Sequence, residues 1–282
     1  MNCPTKRRNT RRWIASFKVV GILTTFIAVL TFGYFTSLLA EDYNSMIEKG
    51  DKYYEQFNNL KALEEYKKAY QLSPNSFEAL MKLTRAYNDV GEDIKGIRFR
   101  QEDKVIPDKA GEYFEKSTQY AELLHKKFPD KAQSYFFLAV TYGNLAIFKG
   151  GKEKVRLARD VEKNAKKTIE IDPEFAPAYI VLGVYYRRVA DLNWFLKQFA
   201  KTVFGGLPNG TNEDSEKMLL KAIELDPQII YAHYELVKTY EAIKKEDKAK
   251  EHLKKILELP VADHQDEAIK KEAERELERL GK

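Results

Sequence analysis

The chain has 282 residues, 44% of them hydrophobic and 12% aromatic, enough to bury a continuous core, which excludes wholesale disorder. Its one cysteine, Cys3, excludes an intrachain disulfide, a thiolate zinc site and a cysteine-based redox motif. The net charge of +5 does not indicate a nucleic-acid binder: Lys6, Arg7, Arg8, Arg11, Arg12 and Lys18 all precede residue 19, and the remaining body is near neutral, with acids and bases interspersed and no phosphate-tracking surface.

In chain order, the basic segment 1–18 is followed by residues 19–40, 22 positions without a charge. As a helix at roughly 1.5 Å per residue this run is about 33 Å long, enough for a hydrocarbon core of about 30 Å. One N-terminal apolar helix that anchors the chain in a membrane is therefore predicted. The positive charges before it, and Glu41 and Asp42 after it, place the amino end in the cytoplasm and the body outside it, in the periplasm of a bacterium. In a eukaryote, an organelle outer membrane would leave the body facing the cytosol. A signal peptide cleaved after Ala40, releasing a secreted or periplasmic body, shares the same order of charged and apolar residues. The length of the run, and Leu38 where a small residue precedes such a cut, favour the anchor. Thr10, Arg11 and Arg12 match part of a twin-arginine export signal.

The body, residues 43–282, is repetitive. From Asn44 onward Gly50, Tyr53, Ala62, Tyr66, Ala69 and Pro74 stand at positions that resemble those of a tetratricopeptide repeat (TPR). Gly50 and Ala62 are small where two antiparallel helices approach, Tyr53 and Tyr66 fill the space beside them, and Pro74 ends the unit. The grammar returns with Leu80, Leu83 and Tyr87, with Tyr135, Leu138, Ala139 and Tyr142, with Tyr179, Leu182, Gly183 and Tyr186, and with Leu236, Tyr240, Ala249 and Leu253. The closing prolines Pro74, Pro129, Pro173, Pro227 and Pro260 lie 55, 44, 54 and 33 residues apart. Against a period of about 34, repeats two, three and four carry insertions of roughly 21, 10 and 20 residues. After Pro260 a charged helix with the apolar stripe Ala268, Ile269, Ala273, Leu277 and Leu280 reads as a capping helix. The expected fold is all-α: a right-handed TPR superhelix of about five helix pairs plus this cap.

The stretch from Leu182 to Trp194, LGVYYRRVADLNW, continues as FLKQFAKTVFGGLP to Pro208, with LKAIELDP closing at Pro227 and LELP at Pro260. This arrangement resembles the regulator of microtubule dynamics family, and its bacterial TPR relatives most, over roughly residues 43 to 280. The resemblance implies an all-helical, non-enzymatic protein, often membrane-attached, that makes protein, cytoskeletal or lipid contacts.

Catalytic, cofactor and metal sites are not expected. His125, His233, His252 and His264 fall in no metal-binding spacing, and the carboxylates mostly sit beside lysines at helical spacing, as on solvated faces. Gly205 and Gly206 fall in a helix-to-helix turn, and Thr211 with Asp214 reads as a capping box opening the next helix. Binding is the expected role, because first helices of stacked repeats line a concave surface. The register points Tyr54, Met81, Arg85, Asn88, Phe136, Arg187, Tyr234 and Lys238 into that groove, where Arg85, Arg187 and Lys238 suit a carboxylate of a protein or peptide partner. Inter-repeat packing is the alternative role for these residues. A second surface, Arg188, Trp194, Phe195, Lys197 and Lys201, flanks the insertion in repeat four and suits lipid headgroups or an acidic partner. An alternative function is lipid or small hydrophobic ligand binding, in a pocket made by the insertions around 90–110 and 187–210.

Overall fold

The computed structural model describes residues 42–96, 108–149, 151–192, 197–198, 200–202 and 210–281; the basic segment and the apolar run predicted to be a membrane helix lie outside them. Five helix pairs follow one another along the chain. The first is α1 (42–55) with α2 (Asn59–Leu72), the second α3 (Phe77–Lys95) with α4 (Asp108–Lys127), and the third α5 (Ala132–Leu145) with α6 (Gly151–Ile171). In the fourth, α7 (Ala176–Ala190) pairs with α9 (Asn212–Leu225), and a short helical stretch, α8, is described at 197–198 and 200–202. The fifth pairs α10 (Ile230–Ala242) with α11 (Glu246–Glu258), and α12 (Asp266–Leu280) closes the chain.

Repeats one and five, which have no insertion, make the same turn between their helices. Phe57 and Lys244 both adopt φ 57, and the following amides, of Asn58 and Lys245, donate 2.9 Å bonds to the carbonyls of Tyr53 and Tyr240. The equivalence of these turns, far apart in sequence, is direct evidence of the repeat. In the central repeats part of the extra length goes into longer helices: α3, α4 and α6 have 19, 20 and 21 residues, where α2 has 14.

The expected repeat residues hold the pairs together. Tyr66 and Ala62 are fully buried, and a methyl group on Gly50 would stand 2.4 Å from the Tyr66 ring, so only glycine lets α1 approach α2 this closely. Gly183 plays the same part in repeat four, where an added Cβ would lie 2.6 Å from Leu219 Cγ. The capping box forms as expected: Asp214 N–H donates to Thr211 Oγ1 (3.0 Å) and Thr211 N–H to Asp214 Oδ2 (3.1 Å). On α12, Ile269 and Ala273 are fully buried against α10 and α11, whereas Ala268 faces solvent because it falls one position off the apolar stripe.

From α2 to α7 each helix packs on the next, α7 packs on α9, and α9 to α12 again pack in sequence, while α3, α5, α7 and α10 also touch one another in series. First helices therefore form one continuous inner face, and every predicted groove residue lies on α1, α3, α5, α7 or α10. The architecture is the right-handed TPR superhelix.

Candidate functional site: the inner face of the superhelix

Two polar clusters occupy the inner face. The first joins α7 to α10. Glu235, its side chain 3% exposed, accepts from Arg187 Nη2 through Oε2 and from Lys238 Nζ (3.1 Å) through Oε1. The Lys238 ammonium also stands 3.8 Å from the centre of the Tyr234 ring, a cation–π contact. Burial alone would raise the Glu235 carboxyl, but Lys238, Arg187 and Arg188 outweigh it and hold it at about 2. Burial lowers the Lys238 ammonium to about 8 even with Glu235 beside it. At neutral pH this is a buried carboxylate under two cations.

The second cluster gathers around the C-terminal end of α3. Arg85 lies 3.7 Å from the ring centre of Tyr54, tying α3 to α1. Three and seven residues on, Asn88 and Glu92 both accept from Asn144 Nδ2 on α5 (2.9 Å each), and Lys95 Nζ donates to Asn144 Oδ1 (3.4 Å). The remaining partners come from the far end of the chain. His264 Nδ1 meets Asp93 Oδ1 at 2.6 Å across 171 residues, and Gln265 Nε2 donates to Glu92 Oε2 at 2.5 Å across 173. Asp93 also accepts from Asn59 Nδ2 on α2 (3.0 Å). The turn that brings His264 here is shaped by Asp266, whose Oδ2 accepts from the amides of Ala262 and Asp263 (2.9 and 2.8 Å). The segment leading into the capping helix thus returns to the second repeat and clasps it. A sequence-level cap is a solvating end; here its leading turn also closes the groove.

Burial pushes the Asp89 carboxyl up to about 7, with His264 and Arg85 pulling the other way. Burial works against a charged His264, but the hydrogen bond to Asp93 and the carboxylates of Asp89, Asp263 and Glu92 raise it to about 9, so the imidazolium is the form that holds the clasp at neutral pH.

The predicted groove residues divide between these clusters and the core. Tyr54 with Arg85, and Arg187 with Tyr234 and Lys238, are brought together on the inner face, and Asn88 lies buried in the second cluster. Met81 and Phe136 pack into the apolar cluster between α3, α4 and α5, with Phe136 4.9 Å from Phe175 by ring centres; they are inter-repeat contacts. On the insertion surface Arg188 is exposed on α7, Lys197 donates to the carbonyl of Ala190 (3.1 Å), and Lys201 is exposed. Trp194 and Phe195 lie outside the described residues, as does most of the insertion proposed as a lipid pocket.

Sequence reasoning missed Glu235, the internal counterion of the groove, and the whole acidic clasp. The spacing of Asp89, Glu92 and Asp93 marks one face of α3, but nothing local to it points to His264. Among the described residues, Asp89, Glu92 and His264 are the one group of three whose potential ligand atoms all lie within 4.8 Å of one another. No described helix is long and apolar enough to cross a membrane.

Five stacked helix pairs, with a polar inner face built from their first helices, define a protein of the TPR class. A thermophilic TPR protein of Thermus thermophilus superposes with a TM-score of 0.61 at 16% identity, over 83% of this chain and 97% of that one, which shows the shared fold. Within that class the chain belongs to the regulator of microtubule dynamics protein 1-3 family, whose pattern it matches over residues 46–281. It is 28% identical over 198 residues to regulator of microtubule dynamics protein 3 of Mus musculus, covering 69% of this chain and 40% of that protein. To regulator of microtubule dynamics protein 1 of Bos taurus it is 26% identical over 218 residues, covering 74% of this chain and 65% of that protein. The chain therefore spans less than two thirds of the length of these relatives.

Proposed function

We propose that this chain is a non-enzymatic TPR scaffold whose inner face takes an acidic segment of a protein or peptide, anchored by Arg85 and Arg187. One observation carries this: the guanidinium Nε of each of these arginines is buried without a hydrogen-bond partner among the described residues. A buried donor left unpaired is costly, and a carboxylate or backbone carbonyl of a bound segment relieves it. The neighbouring Glu235 supports the choice of ligand, because Arg187 and Lys238 already grip a carboxylate there. The scaffold is tethered to a membrane through residues 19–40 with the repeats outside the cytoplasm, on the strength of the charge-flanked apolar run.

The groove is tested by placing a photo-crosslinking amino acid at Arg188, exposed on α7 beside Arg187 and near Glu235, and recovering adducts from the native cells. Arg85→Gln and Arg187→Gln should deplete the same adduct while the helical circular dichroism is retained. Adducts untouched by either change would refute the anchoring role. Charge reversal at Arg187 is a poor test, since it would add a carboxylate beside buried Glu235. Amino-terminal sequencing of the membrane-bound native protein tests the tether; a chain beginning after residue 40 would contradict it.

A further inference from the structure

We propose that Asp89, Glu92 and His264 form a binding site for a divalent transition-metal ion, with Zn2+ the best fit, that fastens the turn before α12 onto α3. The site does not rest on the arginine-anchored groove, although Arg85 lies one helical turn before Asp89.

The ligands are presented as a metal site requires. Asp89 and Glu92 sit three residues apart on one face of α3, and His264 is held over them by the clasp. One ring nitrogen of His264, Nδ1, is engaged by Asp93, itself fixed by Asn59. A histidine oriented by a carboxylate through one nitrogen presents the other as a ligand once the ion displaces its proton. That other nitrogen, Nε2, lies 3.8 Å from Glu92 Oε2 and 3.7 Å from Asp263 Oδ1. These separations are too long for hydrogen bonds and close to the roughly 3.4 Å between two ligands at about 2.1 Å from a tetrahedral ion. Glu92 is held in place by donors from Asn144 and Gln265 while keeping lone pairs free.

A second observation points to a cation. Asp89 is only 6% exposed, and among the described residues its Oδ2 is buried with no partner and its carboxylate takes one hydrogen bond, a 3.5 Å contact from Asn88 Nδ2 to Oδ1. A carboxylate oxygen so buried calls for a positive partner. One imidazole and two carboxylates suit Zn2+ among the first-row ions, with Asp263 or water completing the shell, whereas Mg2+ and Ca2+ prefer all-oxygen ligands.

The test uses the full-length protein stripped with a chelator, titrated with zinc sulfate and desalted for metal analysis. One Zn2+ per chain is expected, with a melting temperature that rises with zinc and does not rise with Mg2+. Asp89→Asn and His264→Gln should each weaken zinc binding by about tenfold or more at unchanged helical circular dichroism. Failure to retain stoichiometric zinc overturns the site, and so does zinc binding unaltered in both variants, which would mark an adventitious ion elsewhere, for instance at His233 and His252. Should the variants misfold, zinc X-ray absorption of the loaded parent decides: one imidazole nitrogen among oxygens supports the site, and two imidazoles or oxygen alone refutes it.

Discussion

The two polar clusters of the inner face are opposites in construction. Around Glu235, neighbouring repeats place two cations on one carboxylate, so a buried charge is neutralised by residues 48 and 3 positions away. At the end of α3 the balance is reversed: the carboxylates of Asp89, Glu92, Asp93 and Asp263 converge on one imidazole delivered from the other end of the chain. The first cluster pairs its buried carboxylate internally and stiffens the junction of repeats four and five, leaving Arg187 Nε unpaired among the described residues. The second is overcharged with acid, and the property it confers, closure of the solenoid, depends on two side chains from the turn before α12, the imidazole of His264 and the amide of Gln265.

That contrast is broken most forcefully at Glu235. Glu235→Ala leaves Arg187 and Lys238 facing each other while buried, and should cost about 3–5 kcal/mol in urea unfolding. Replacing all three residues by apolar ones of similar volume should recover most of that loss; a single substitution without cost would mean that the cations reach water. Next in size is Gly183→Leu, whose side chain must enter the space of Leu219 and should cost about 1–3 kcal/mol. Partial rescue by Leu219→Ala would confirm that the clash is local to the α7 and α9 pair. Thr211→Ala removes one arm of the capping box and should lower stability by about 1 kcal/mol.

The interface between α10 and α11 supplies a pH probe. His233 Nδ1 and His252 Nδ1 are 2.8 Å apart, one donating to the other. Burial, with His233 alongside, lowers His252 from 6.5 to about 4, and burial also lowers His233. The unfolded histidines take up protons near 6.5 while the folded pair resists, so stability is full above that pH and declines as pH falls toward 4. His252→Gln should flatten this decline in thermal melts taken across pH 4 to 7. An unchanged slope would assign the acid sensitivity to other groups.

Much of the fold is legible in sequence because a repeat declares itself through residues that act locally. Gly50 with Tyr66, and Thr211 with Asp214, each contact within one helix pair or one turn, and those expectations match the structure; Gly183 is legible as a repeat residue, and the structure adds Leu219 as what it faces. The groove was legible only as a direction: the register assigns Arg85, Arg187 and Lys238 to the inner face, but it does not reveal that Glu235, one helical turn before Lys238, already occupies two of them. His264 was illegible altogether. Its partners on α3 are brought near by the accumulated rotation of the intervening repeats, a property of the whole stack that no spacing encodes.

The claim on which the rest stands is that His264 and Asp93, 171 residues apart, touch and so close the superhelix. A double-mutant cycle of His264→Ala and Asp93→Ala in urea unfolding measures that contact directly. A coupling energy of about 0.5–3 kcal/mol is expected, and single effects that add to within about 0.3 kcal/mol would show that this contact does not close the groove.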